Sequence, residues 1–175
     1  MKTEAVSSET YPFNPKPVET LKKTFLLPNG MYDEYYITKD KNSVCIVAIT
    51  NTQEVILVKQ FRPNTEKEEF ELPGGGMEDN ESIFSAAKRE LREETGYQGE
   101  LRFMYSKHYS PFSLGKRFFF LATGCEKVTR NLDLDPNEFL KVYKMNLIAF
   151  RQELSKTRIR DFEAGYVGLD LLKQL

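Results

Sequence analysis

Three glutamates, Glu90, Glu93 and Glu94, stand at i, i+3 and i+4, and Arg89 directly precedes them. Positions three and four apart share one face of a helix, so this spacing lines three carboxylates along a single stripe. Like charges so placed destabilise a helix. A divalent cation among them would remove that cost. Mg²⁺ is a hard ion that takes a few carboxylates and fills its shell with waters and substrate phosphate oxygens. Arg89 reaches Glu93 one turn on and can hold that carboxylate in place. Taken without its surroundings, the same stripe reads more simply as a solvated amphipathic face stapled by Arg–Glu pairs.

The surroundings decide between the two. Gly75 is followed by five residues, then Glu81, then seven residues, then Arg89-Glu90-Leu91-Arg92-Glu93-Glu94-Thr95-Gly96-Tyr97. The run GGMEDNESIFSAAKRELREETGY, residues 75–97, fits G-x5-E-x7-R-E-U-x-E-E-x-G-U, with U a bulky apolar residue, and resembles the signature of Nudix hydrolases. Tyr97 stands where an aliphatic residue is more usual. With both glycines and Glu81 in register, the metal reading is preferred. The resemblance implies hydrolysis of a phosphoanhydride with Mg²⁺, for which Mn²⁺ can substitute. It also implies roles. Glu90 and Glu94 would be metal carboxylates, Glu93 a further ligand or base, and the Gly74 carbonyl an extra ligand. Glu81 would support them. Glu93 or Glu94 would take the proton of the attacking water, and Arg89 would orient Glu93.

The flanks narrow the substrate. Val58-Lys59-Gln60-Phe61-Arg62-Pro63 and Glu71-Leu72-Pro73-Gly74-Gly75-Gly76 resemble the ADP-ribose and nucleoside-diphosphate-sugar pyrophosphatase branch. The likeness spans about residues 20–172 and is strongest over 44–124. Ile159-Arg160-Asp161 is similar to that branch's C-terminal helix region. Arg62, always charged and fork-shaped, is expected on a substrate phosphate, with Glu71 helping to position the substrate or a metal-bound water. A departure lies in Ser110-Pro111-Phe112-Ser113-Leu114-Gly115-Lys116-Arg117. The branch has S-P-G and then a loop glutamate, whereas here Phe112 replaces the glycine and Lys116 takes the glutamate's place. Lys116 and Arg117 are then candidates for the diphosphate or a terminal phosphate, against the alternative of a solvated basic pair. His108, the one histidine, stands at the mouth of this loop and reads first as structural or exposed. The resemblance also implies a homodimer packed through N-terminal strands, with one of Tyr32, Tyr35 and Tyr36, Tyr36 being preferred, stacking on the base.

These residues must be positioned by a mixed α/β fold. Leu21–Leu27 and Met31–Thr38, joined by Pro28-Asn29-Gly30, read as a hairpin. Ser43–Thr50 and Val55–Phe61 are apolar strands, and Cys45 falls inside the first as a buried thiol. Residues 63–69 are charged and read as a solvated loop. Residues 81–95 read as a helix capped by Asp79 or Asn80 and closed by Gly96, burying Phe84, Ala87 and Leu91. Leu101–His108, Arg117–Thr123 and Phe139–Met145 follow as strands, with Phe118, Phe119 and Phe120 packing in the core or between protomers. Asn146–Lys156 and Phe162–Leu175 follow as helices. The expected class is α/β: a Nudix fold, a mixed β-sheet sandwiched between helices, with an N-terminal antiparallel β extension. Residues 1–42 would form a tail and dimerisation strands, and 43–175 the hydrolase domain.

Composition sets the remaining bounds. The chain has 175 residues, 40% of them hydrophobic, and a net charge of −1. No overall field draws it to nucleic acid or an anionic membrane. No apolar stretch reaches the ~20 residues of a membrane span. Residues 1–17, with Pro12, Pro15 and Pro17, hold no apolar signal core and read as an extended tail. Two cysteines make no disulfide framework, so a reducing, cytoplasmic setting is expected. A nucleoside diphosphate sugar is the expected partner, without nucleic acid or membrane. GDP-mannose, a dinucleoside polyphosphate or a coenzyme is the alternative within the family. A non-catalytic Nudix domain and an unrelated α/β binding protein are the alternatives outside it.

Overall fold

The apolar run at 44–49 fixes the centre of the fold, because a strand hydrophobic at every position must be covered on both faces. In the computed structural model, which describes residues 19–134 and 139–173, that run is β3 (Ser43–Thr50). Val44, Ile46 and Ala48 face one layer, where Ala86, Ala87 and Leu91 of α1 (Ile83–Thr95) pack. Cys45, Val47 and Ile49 face the other, covered by Phe150 and Leu154 of α2 (Leu147–Ser155) and by Ala164 and Leu169 of α3 (Phe162–Leu171). Each fully buried large aliphatic side chain contributes roughly 1.5–3 kcal/mol.

Six further strands complete the sheet. They are β4 (Glu54–Arg62), β5 (Lys67–Glu71), β6 (Tyr97–His108), β7 (Lys116–Lys127), β8 (Leu140–Asn146) and β9 (Ile159–Arg160), in the order β6-β7-β3-β4-β5-β9, with β8 also on β4. β3–β7 and β5–β9 are parallel; the other pairs are antiparallel. The mixed sheet between helices is thus present. A separate hairpin, β1 (Thr20–Leu26) and β2 (Tyr32–Thr38), turns at Gly30 and forms its own two-stranded sheet. Among the described residues no helix is long and apolar enough to cross a membrane. The proline-bearing segment 1–17 lies outside the described residues.

One irregularity builds the site. β3 and β4 pair only at Ala48–Ile56 and Ile49–Val55 and then part. The opening is filled by the chain running on from β5: the Pro73 carbonyl accepts from Ile46 N–H and the Gly75 carbonyl from Val44 N–H, each at 2.9 Å. A β-carbon on Gly74 would lie 2.3 Å from the Val44 carbonyl oxygen, so only glycine allows this approach.

The structure corrects three expectations and adds one strand that the sequence did not suggest. The charged segment 63–69 is not wholly a loop. Lys67–Glu71 pairs with β4, and apart from Phe70, which packs on the core, its side chains are charged, so backbone pairing does most to hold it. The two-residue β9 carries too few residues to show any periodicity. α1 is capped by Ser82, whose Oγ accepts from Ser85 N–H at 3.1 Å, rather than by Asp79 or Asn80. Asn80 instead takes a left-handed turn (φ 64) that frees Glu81 to face inward. Phe84 is 48% exposed, because in the first turn its ring meets Phe120 only edge to face. Gly96 closes α1 in the left-handed conformation (φ 75), as the sequence indicates.

Candidate active site

α1 turns Glu90 and Glu94 inward until they are 8% and 4% exposed, while Glu93 stays half-buried at the rim. Carboxylates almost never bury without partners. Here the partners come from Arg89 and the glycine segment. Arg89 uses all five of its N–H donors. Nε and Nη2 donate to Glu81 at 2.9 Å each, Nη1 to Glu90 at 2.9 Å and Glu93 at 3.0 Å, and Nη2 to the Gly76 carbonyl at 3.0 Å. Its hydrogen bonds to Glu81 first, then to Glu93 and Glu90, hold it firmly charged, and in return hold the Glu81 carboxyl below its usual range. Glu94 accepts from Gly74 N–H at 2.8 Å. Glu90 lies so close to Gly75 that a β-carbon there would sit 2.6 Å from both carboxylate oxygens.

This donor set fits a hard divalent cation. Glu81, Glu90, Glu93 and Glu94 bring four negative charges against the single positive charge of Arg89, a surplus of three. All the donors are oxygen, which suits Mg²⁺ or Mn²⁺. Among the described residues no three acidic, histidine or cysteine side chains already close on one point, since the Arg89 guanidinium lies between Glu90 and Glu93.

On β4 and β5, Arg62 forms a two-pronged ion pair with the buried Glu71, and Gln60 Nε2 lies 3.5 Å from the same carboxylate. The Glu71 pairing, then the field of Glu94, keeps Arg62 charged. The chain leads from Glu71 through Leu72 and Pro73 to Gly74, whose N–H donates to Glu94, which ties this strand end to the α1 cluster. A residue absent from the sequence-derived site joins the Arg62–Glu71 pair: Arg160 of β9, with Nη1 3.9 Å from Glu71. Its resemblance to a C-terminal helix region was the only signal for it.

Lys116 and Arg117 begin β7 and point to opposite faces of it. Lys116 is half-buried, and its N–H bonds Asn42 Oδ1 at 2.9 Å. Asn42 also accepts from Met77 N–H at 2.9 Å, so the start of β7 and the glycine segment flank the same residue. Arg117 turns toward α3, pairs with Asp161 at 3.0 Å and lies over the Phe119 ring, with its Nε buried and unpartnered. It does not share a face with Lys116. His108 is exposed at the end of β6, opposite Lys116. Tyr36 is exposed on the hairpin, remote in sequence from the carboxylates, while Tyr35 packs on Phe25 and stacks on Phe112.

The hairpin is fixed to the loop before β7. Thr38 N–H donates to the Phe112 carbonyl at 2.8 Å, and Leu114 N–H to the Thr38 carbonyl at 2.9 Å. Ser113 and Thr38 hydroxyls both donate to Asp40, which holds its carboxyl below the usual range. Tyr109 donates to Ser43 at 2.6 Å. Asp40 and Asn42 carry these contacts, and nothing in their sequence context singles them out.

The family model described as NUDIX domain matches residues 39–163. A protein named methanol dehydrogenase activator, from Bacillus methanolicus, is 34% identical over 137 residues, covering 77% of this chain and 74% of that one. An ADP-ribose pyrophosphatase from Bacillus subtilis (strain 168) is 28% identical over 156 residues, covering 88% and 84%. An ADP-sugar pyrophosphatase from Mus musculus is 39% identical over 107 residues, covering 55% and 49%. A solved structure described as an ADP compounds hydrolase superposes with a TM-score of 0.75 at 20% identity, over 100% of this chain and 98% of that one, which establishes the fold.

Proposed function

Because this chain belongs to the NUDIX family, we propose that it hydrolyses the diphosphate bond of a nucleoside diphosphate sugar such as ADP-ribose, giving a nucleoside monophosphate and a sugar phosphate. The observation that carries this reading is the buried pair Glu90 and Glu94, held against the glycine segment in a site with surplus negative charge. The relatives named for ADP-ribose and ADP-sugar hydrolysis support the substrate class.

In this reading Glu90, Glu93, Glu94 and the Gly74 carbonyl hold Mg²⁺, with Mn²⁺ as a substitute. When bound, the cation neutralises the diphosphate and lowers the pKa of the attacking water. Arg89 fixes Glu90 and Glu93 relative to each other, so their oxygens need no reordering when substrate arrives. Glu93, the least buried of the three, accepts the water's proton as the P–O–P bond breaks, with Glu94 as the second candidate. Arg62 binds a phosphate and Glu71 aims its guanidinium. Lys116 lies at the end of the sheet that carries the glycine segment and is suited to a phosphate there. Arg117, tied to Asp161, acts by holding the start of β7 in place.

Assembly is part of the proposal. Residues 1–42 carry the association element and 43–175 the hydrolase domain. Phe25, Leu26 and Phe112 are exposed around one hollow on the hairpin side, and they support pairing of two copies there, with Tyr36 offered to a base. Two buried free thiols, Cys45 and Cys125, support a reducing cytoplasmic setting.

The test is a panel of ADP-ribose, other ADP-sugars, GDP-mannose, dinucleoside polyphosphates and coenzyme diphosphates, with products read by mass. Mg²⁺-dependent cleavage of a nucleoside diphosphate sugar, lost at least about 10³-fold in Glu94→Gln, is the expected result. A variant keeping more than about a tenth of the kcat refutes the metal assignment. GDP-mannose, a dinucleoside polyphosphate and a coenzyme diphosphate are the alternative substrates within the family, and the same panel resolves them.

A further inference from the structure

Residues 159 and 160 form the shortest strand in the fold, and their register does specific work. Ile159 pairs with Phe70 and Arg160 with Glu71, in parallel. Ile159 is buried in the core layer of α2 and α3. Side chains alternate along a strand, so Arg160 is turned to the opposite face, the one that carries Glu71. There its Nη1 stands 3.9 Å from Glu71 Oε1, within ion-pair range but outside hydrogen-bond range.

Glu71 does not need this second cation. It is buried and already accepts both prongs of Arg62. The group Arg62–Glu71–Arg160 therefore carries two positive charges against one negative, a net charge of +1 at the edge of a site whose α1 side is negative. Arg160 is 46% exposed, so its donors are open to a ligand. A guanidinium fork with unfilled donors, held beside a second one, suits the non-bridging oxygens of a phosphate.

We propose that Arg160 is a substrate-binding residue that, with Arg62, clamps one phosphate of the diphosphate from the side opposite the α1 carboxylates. This rests on the pyrophosphatase reading. The fold supplies Arg160 by pinning the segment between α2 and α3 to the edge of β5, so this part of the phosphate site is completed only when the C-terminal region has docked.

The test compares wild type, Arg160→Ala and Arg160→Lys. Expected for Arg160→Ala is a rise in KM for the best substrate of at least about tenfold, with kcat within about threefold and an unchanged melting temperature, since one charge-assisted phosphate contact is lost. Arg160→Lys restores part of the affinity, a point charge replacing a fork. ADP binding in Mg²⁺, followed by titration calorimetry, weakens in parallel. An unchanged KM and ADP affinity in both variants overturns the proposal, as does a KM change that appears only with a drop in melting temperature. If the wild type cleaves no diphosphate at all, the pyrophosphatase reading fails. The ADP titration then decides Arg160 on its own: equal binding by wild type and Arg160→Ala rejects it.

Discussion

Replacing Gly75 by alanine tests the site more sharply than removing a carboxylate, because it alters position without altering charge. The added methyl would lie 2.6 Å from both oxygens of Glu90, while ordinary contact begins at 3.4 Å, so the carboxylate must retreat by 3.4 − 2.6 = 0.8 Å. Gly75 is not among the positive-φ glycines, so its backbone accepts alanine without strain. The atoms displaced are the far end of a flexible side chain, and the fold therefore loses little. The catalytic loss is larger. A misplacement of about 1 Å in a reacting array costs on the order of 10²-fold, or about 2.7 kcal/mol of barrier. The assay is kcat as a function of Mg²⁺ concentration, beside a melting curve. Expected are a rate about 10²-fold lower, a higher Mg²⁺ requirement and a melting temperature within about 2 °C of wild type. If Gly75→Ala keeps more than half of the rate at the same Mg²⁺ requirement, Glu90 does not hold the metal and the argument from the glycine segment fails.

Leu91→Ala removes a fully buried side chain between α1 and the sheet and should lower unfolding free energy by about 2–5 kcal/mol in urea melts. Glu81 gives a pH signature. Arg89 lowers its pKa in the folded state, so its contribution is complete above the unfolded value of about 4.3 and is lost as pH falls through the lower folded value. Acid unfolding of Glu81→Gln, followed by circular dichroism, should show a shallower dependence below about pH 4.3, and an unchanged slope would contradict this. Cys45 is fully buried, and burial pushes its thiol up to about 12. A thiol reagent at pH 8 should therefore leave it unmodified until denaturant is added, and rapid labelling of the native chain would show that strand β3 opens.

The parts legible from sequence were those whose residue types and spacing are set by chemistry. The glutamate stripe, Arg89 and the closing Gly96 are bound by helix geometry, and the run around Cys45 by burial on both faces. What sequence could not show depended on the backbone. Lys67–Glu71 carries mostly charge, and it is a strand because the free edge of β4 offers hydrogen bonds. Arg117 reads as half of a basic pair, yet strand alternation separates it from Lys116 and sends it to Asp161. Arg160 meets Glu71 across a long stretch of chain, through a pairing two residues long. Asp79 and Asn80 read as the helix start, yet the cap is Ser82, and Glu81 just before it stays outside the helix and bonds Arg89.

The parting of β3 from β4 has a further consequence for motion. The amides of Val44 and Ile46 lie in the middle of the molecule, yet their hydrogen-bond partners belong to the glycine segment. That segment consequently has no hinge of its own and cannot swing aside while the sheet stays intact. Protection of those two amides against deuterium should match that of the most slowly exchanging core, so substrate admission and product escape fall to the outer loops and the hairpin.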